Sequence, residues 1–197
     1  MSREARAIET ADIMDMRAYG EQRKALRLGQ VEAKKKRRLS VGPHVTVFFE
    51  SYDSMWLQIH EMLYIERGGA EQIPDELAAY NPMIPNGREL TTTLMFEIDD
   101  PKLRASILGR LAGVEDHIYL HLGETRIAAV AEGDVERSRE DGKASSVHFL
   151  HFPFTEDQIA EWRSGRGTVI FGIDHPHYGH MAIVGPEMRE TLGRDFN

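Results

Sequence analysis

Cysteine is absent from all 197 residues. That absence removes disulfides, thiolate metal sites, cysteine-ligated iron–sulfur clusters and cysteine nucleophiles together. No apolar run approaches the roughly 18–20 residues that a membrane helix needs. The opening Met1-Ser2-Arg3-Glu4 is polar and carries no apolar stretch of the kind that directs secretion. A cytoplasmic location is the expectation. Phosphate loops of the Walker type, the dinucleotide Gly-x-Gly-x-x-Gly and the Gly-x-Ser-x-Gly elbow are all missing. His60-Glu61-Met62-Leu63-Tyr64 starts like a zinc-protease helix but puts Tyr64 where the second ligand must stand. Internal repeats and low-complexity linkers are lacking too.

What remains is 41% hydrophobic and 28% charged, the balance of a soluble globular chain long enough for one real core. The net charge of −8 is unevenly spread. Residues 1–40 hold 11 Lys and Arg against 6 Asp and Glu, leaving 13 basic and 26 acidic residues for the other 157. A basic arm on an acidic body suits an anionic partner or nucleic acid, or docking on the body itself. No aromatics interleave with Lys34 to Arg38, as single-strand stacking requires, and the acidic pI of 5.6 argues against nucleic acid.

Thr10 and Asp12 suit helix caps ahead of a long polar segment reaching about Arg38, which Gly20 and Gly29 interrupt to give either two helices or a bent one. Its closing cations suit a helix C-terminus. His44 to Phe49 reads as a strand, and Asp53 or Ser54 caps a helix to about Arg67 that is apolar on nearly every side. Leu90 to Ile98 is β-type, and Asp99 or Asp100 caps a helix from Pro101 to about Leu111. Residues 114–130 read as a hairpin turning at Gly123-Glu124. Glu132 to Lys143 is a charged surface loop or short helix. Ser145 to Phe152 and Thr168 to Ile173 are strands around a helix from Thr155 to Arg163, and Met181 to Val184 precedes a last helix from about Pro186 to Leu192. Irregular alternation of strands and helices, with two hairpins, gives an α+β fold: one domain with a mixed, largely antiparallel sheet and a buried central helix. Residues 1–40 form its helical arm and residues 41–197 its core.

Without cysteine, chemistry must run through histidines and carboxylates. Asp174-His175-Pro176-His177-Tyr178-Gly179-His180 sets three imidazoles and a carboxylate around a turn, where side chains can converge on zinc or iron. His148-Phe149-Leu150-His151 adds two more. Positions three apart on a regular strand face opposite ways, so one of that pair joins a site and the other does not. Glu50, Glu97 and His60 complete the candidate ligand set His148, His151, His175, His180, His60, Glu50 and Glu97. Hydrogen-bonded sheet histidines, ion pairs and caps explain the same residue types. His44, His117 and His121 read as structural or exposed.

Several long stretches carry a resemblance. They are Phe49-Glu50-Ser51-Tyr52-Asp53 with Trp56, Gln58, His60 and Glu61; Ala79-Tyr80-Asn81-Pro82 with Gly87-Arg88-Glu89-Leu90 and Met95-Phe96-Glu97-Ile98-Asp99; Ser145 through Phe154; and Ile173-Asp174-His175-Pro176 with Tyr178-Gly179-His180-Met181. Over roughly residues 10–195 the chain resembles the bacterial family catalogued as domain of unknown function 3501. The resemblance transfers no catalytic residue. It implies a redox or oxidative-stress setting, because genes of that family accompany those of rubrerythrin-like proteins and iron–sulfur oxidoreductases. Two functions follow as expectations: a divalent-metal protein using iron or zinc, or a non-catalytic accessory protein docking through its basic arm on a rubrerythrin-like or iron–sulfur partner.

Overall fold

The computed structural model describes residues 2–133 and 144–197. Most of the segment read as a charged loop, 134–143, lies outside the described residues.

Two antiparallel sheets form the centre. The first has the order β1 (Arg38–Val41), β2 (Val45–Phe49), β3 (Glu89–Phe96), β7 (Val147–Pro153) and β6 (Val130–Ala131). The second runs β5 (Thr125–Ala128), β4 (Ile118–Leu122), β8 (Val169–His175) and β9 (Tyr178–Ile183). Alternate residues of each strand turn inward, as strand pleating demands. Val45, Val47, Phe49, Leu90, Leu94, Leu150 and Phe152 from the first sheet meet Ile118, Leu120, Val169, Phe171 and Ile173 from the second. The ring of Phe171 is 6.2 Å from Phe49 and 5.6 Å from Phe152, so one side chain bridges the layers. Tyr178 ties the same layers at one edge: its hydroxyl donates to the Val41 carbonyl and accepts from the His44 and Val45 amides.

The helices close the remaining faces. They are α1 (Ser2–Ala5), α2 (Met16–Lys35), α3 (Tyr52–Glu66), α4 (Ile73–Tyr80), α5 (Pro101–Leu108), α6 (Glu156–Arg163) and α7 (Pro186–Gly193). Ser51 and Ser54 form a reciprocal capping box at the start of α3, and Asp100 caps α5 ahead of Pro101. Met55, Ile59 and Leu63 of α3 join Ile8, Met83 and Ile84 in a second cluster that packs on Phe149, an outward residue of the first sheet. Ile65 of α3 faces solvent.

Three details differ from the sequence reading, the first being the α3 cap, which is Ser51 and not Asp53 or Ser54. Gly20 and Gly29 do not break α2, which is one 20-residue helix capped by Asp15. Gly20 is a point of close approach: a Cβ there would lie 2.9 Å from the Tyr64 ring. The helix also ends at Lys35, and Arg38 already belongs to β1, where its strand pairs with Phe48.

Candidate functional site

The period-two rule makes the first division among the seven candidate ligands. On β7, His148 shares the inward row with Leu150 and Phe152, whereas His151 shares the outward row with Phe149 and Pro153. His60 is fully buried between the rings of Trp56, 3.8 Å away, and Tyr19, 5.1 Å away. Its Nδ1 donates to the Trp56 carbonyl and its Nε2 accepts from the Met14 amide, so both nitrogens are taken by main chain. Burial holds its pKa below the ordinary value, and it stays neutral. The residue is a pin that fastens the N-terminal segment to α3.

Glu50 is buried and accepts from two hydroxyls, Ser54 Oγ at 2.6 Å and Thr93 Oγ1 at 2.7 Å. Glu97 lies half-exposed at the far end of β3, accepting from Thr46. His180 packs over Gly42, whose φ of +69° admits glycine readily and whose missing Cβ leaves room for the imidazole. Among the described residues no group of three or more His, Asp or Glu side chains is disposed to hold a metal ion. The candidates His148, His151, His175, His180, His60, Glu50 and Glu97 therefore form no common centre among the described residues.

Two smaller groupings do form. Glu115, in the helical turn before β4, is buried with its Oε2 unpaired, and its charge is felt by both His148 and His175. Burial lowers the pKa of both imidazoles, and His148 Nε2 donates to the Ser145 carbonyl. The local sequence gave no sign of Glu115, which reads as one more charge near a turn.

The second grouping is His151 between two glutamates. Its Nδ1 donates to Glu89 Oε2 at 3.1 Å and its Nε2 to Glu132 Oε2 at 2.7 Å, with all three side chains mostly buried. With carboxylates on opposite edges of the ring, neither nitrogen offers a lone pair to a metal. The Glu89 hydrogen bond chiefly, with that of Glu132, raises the His151 pKa against the opposing effect of burial. An unfolded imidazole titrates near about pH 6.5. The stabilisation from this group is therefore full below that pH and is lost as pH rises through the higher folded-state value. Wild type is expected to lose stability relative to His151→Gln from about pH 6.5 upward. Urea unfolding across a pH series checks this, and a difference that is flat with pH would contradict it.

The basic arm offers a different kind of site. The first half of α2 is anchored on α3: Tyr19 and Arg23 both bond Glu61, Arg23 with two parallel contacts of 2.8 Å. These partners depress the Glu61 pKa, Arg23 first. Beyond Arg23 the helix is solvated except at half-buried Leu26, Gln30 and Lys34. Leu28 is 60% and Val31 51% exposed, and with Lys24, Arg27 and Lys35 they follow helical spacing along one side. Leu28 and Val31 border a groove of about 390 Å³ lined also by Gly20, Tyr64, Arg23, Lys24 and Arg27, while Lys35 lies beyond it and pairs with Glu32. Among the described residues Lys24 and Lys34 make no ion pair, though the Lys34 ammonium sits 5.4 Å from the Phe48 ring centre. The arrangement presents cations around an apolar strip.

A single α+β domain with two antiparallel sheets, a basic solvated helix and dispersed histidines is thus the class of molecule defined here. The chain belongs to the family of proteins of unknown function DUF3501, whose profile matches residues 7–196. It is also similar to a crystal structure, at 1.90 Å resolution, of a novel protein of unknown function from Burkholderia pseudomallei K96243. That likeness has 32% identity and a TM-score of 0.89, covering 97% of this chain and 100% of the other. A search of curated proteins finds no match. No described helix is long and apolar enough to cross a membrane.

Proposed function

We propose that this protein is an accessory module that docks through α2 on an acidic partner protein. The observation that carries the reading is the solvated second half of α2, with Leu28 and Val31 exposed among Lys24, Arg27 and Lys35. Scattered surface apolar residues need no explanation, but two on one helical face beside a groove make an anchor. The cations would steer an acidic surface into place and the groove would take an apolar side chain from it. The rubrerythrin-like and iron–sulfur oxidoreductase classes implied by the family setting are the partners to test. Any iron–sulfur chemistry would then reside in the partner, since this chain has no cysteine.

The test is binding of the purified protein to each partner class at low and moderate salt, by calorimetry. Lys24→Glu combined with Lys35→Glu and Leu28→Ser should weaken the complex by about tenfold or more, equivalent to about 1.4 kcal/mol. Wild-type affinity should also fall as salt rises. No complex at low salt with either class, or equal affinity of the variant, would overturn the proposal.

A further inference from the structure

A cleft of about 580 Å³ opens where α6 and α7 meet the edge of the second sheet. That volume is within the usual range for a small-molecule site, about 300–1,000 Å³. Trp162, Val169, Val184 and Pro186 supply apolar walls, and Arg163, Arg189 and Arg194 are its cations. Glu190, the one acidic residue on the lining, is already engaged by Arg194 at 2.9 Å. The cleft shares no residue with the α2 groove.

Arg189 is the unusual member. It is only 8% exposed, a degree of burial at which a guanidinium normally has a carboxylate partner. Here its hydrogen bonds go to main-chain carbonyls: Nε to Trp162 at 3.0 Å, Nη1 to Gly167 at 2.8 Å and Nη2 to Glu161 at 3.1 Å. Two of those carbonyls belong to the last turn of α6, whose dipole favours a cation. Capping therefore accounts for the position of Arg189 and for three of its five N–H groups. It leaves the charge without a hydrogen-bonded counter-anion beside an open apolar cavity.

The turn from α6 to β8 lines one side, with Gly165 and Gly167 at φ of +70° and +69°. At the other side Ile183 is 66% exposed on the edge strand, extending the apolar lining to the mouth. Arg163 donates to the main-chain oxygen of Asn197 and Arg194 to Glu190, so the lining side chains keep a net positive charge around an apolar trough, with Arg189 lacking a carboxylate hydrogen bond. A fully polar anion would waste the walls, and a neutral hydrocarbon would leave the charge unmet.

The geometry points to a binding site for a small amphipathic carboxylate, its apolar body along Trp162 and Val184 and its anionic head among Arg189, Arg194 and Arg163. Decanoate is a suitable probe, with 1-decanol and decyltrimethylammonium as neutral and cationic counterparts. Calorimetry on the full chain should show saturable, salt-sensitive binding of decanoate that is clearly tighter than that of either counterpart. Amide chemical shifts should move along residues 165–169 and 183–194. Arg194→Glu and Ile183→Glu both alter exposed positions, and each should weaken decanoate about fivefold or more, about 1 kcal/mol by the tenfold-per-1.4 relation. Unchanged circular dichroism and thermal midpoint would show that these variants fold. The assignment is overturned if decanoate fails to bind at millimolar concentration, if decanol or the ammonium binds as well, if the shifts map elsewhere, or if both folded variants bind as wild type does.

Discussion

Asp195→Ala is expected to lower the unfolding free energy by about 3–5 kcal/mol, read from urea denaturation with an unchanged slope. Asp195 takes two parallel hydrogen bonds from Arg37, at 2.7 and 2.8 Å, and the pair is nearly out of solvent with side-chain exposures of 14% and 11%. Arg37 also donates to the Glu50 carbonyl, and its own carbonyl accepts from Phe49. Removing the carboxylate leaves a buried guanidinium with no counter-charge, and that cost dominates. Replacing both partners tests the explanation: Arg37→Met with Asp195→Leu should recover much of the loss, because no charge is stranded. A single-variant loss below about 1 kcal/mol would match an exposed surface pair and would refute the buried one.

Trp162→Ala is expected to cost a similar amount, about 3–5 kcal/mol, as for other large buried aromatics. The indole is 2% exposed, with Phe154 and Phe196 rings at 5.6 and 5.8 Å. Its Nε1 donates to the Arg189 carbonyl while Arg189 donates back to the Trp162 carbonyl, so α6 and α7 are clasped in both directions. Trp162→Phe keeps most of the volume and strands the Arg189 carbonyl, so it should cost about 1–3 kcal/mol. Thermal or urea unfolding separates the two. Equal losses for Ala and Phe would mean that the hydrogen bond, and not the packing, sets the stability here.

Much of the fold was legible because it is written in short-range pattern. The hairpin at Gly123-Glu124, the cap at Asp100, and the opposite facing of His148 and His151 all follow from turn chemistry and the strand period. α2 was misread at Gly20 because glycine has two uses, and the contact with Tyr64 that decides between them is tertiary. β1 was hidden because Arg38 continues a run of cations suited to a helix end.

The site was less legible. Histidines close in sequence invite a common centre, yet His175, His180 and His151 answer to different neighbours once the strands pair. Glu115, and the glutamates that hold His151, come from segments 19 to 62 residues removed from their imidazoles. Arg189 gave no signal at all, since an arginine in a short amphipathic helix normally points to water. The basic arm was visible from charge alone, but which side of it remains solvated depends on Glu61 and Tyr64.

The order of strands between the two sheets bears on how the chain reaches this state. It lays down β1 to β3 in the first sheet, moves to the second for β4 and β5, returns for β6 and β7, and crosses again for β8 and β9. The first sheet is completed only after two strands of the second have been made, the second only after the first is finished, and Arg37 meets a residue 158 positions later. Such distant pairings slow folding, because chain entropy is lost before the contacts repay it. The interleaving should also make both layers melt together in one transition. During synthesis the early hairpin must wait, with Val45, Val47 and Phe49 uncovered, until β8 emerges to face it.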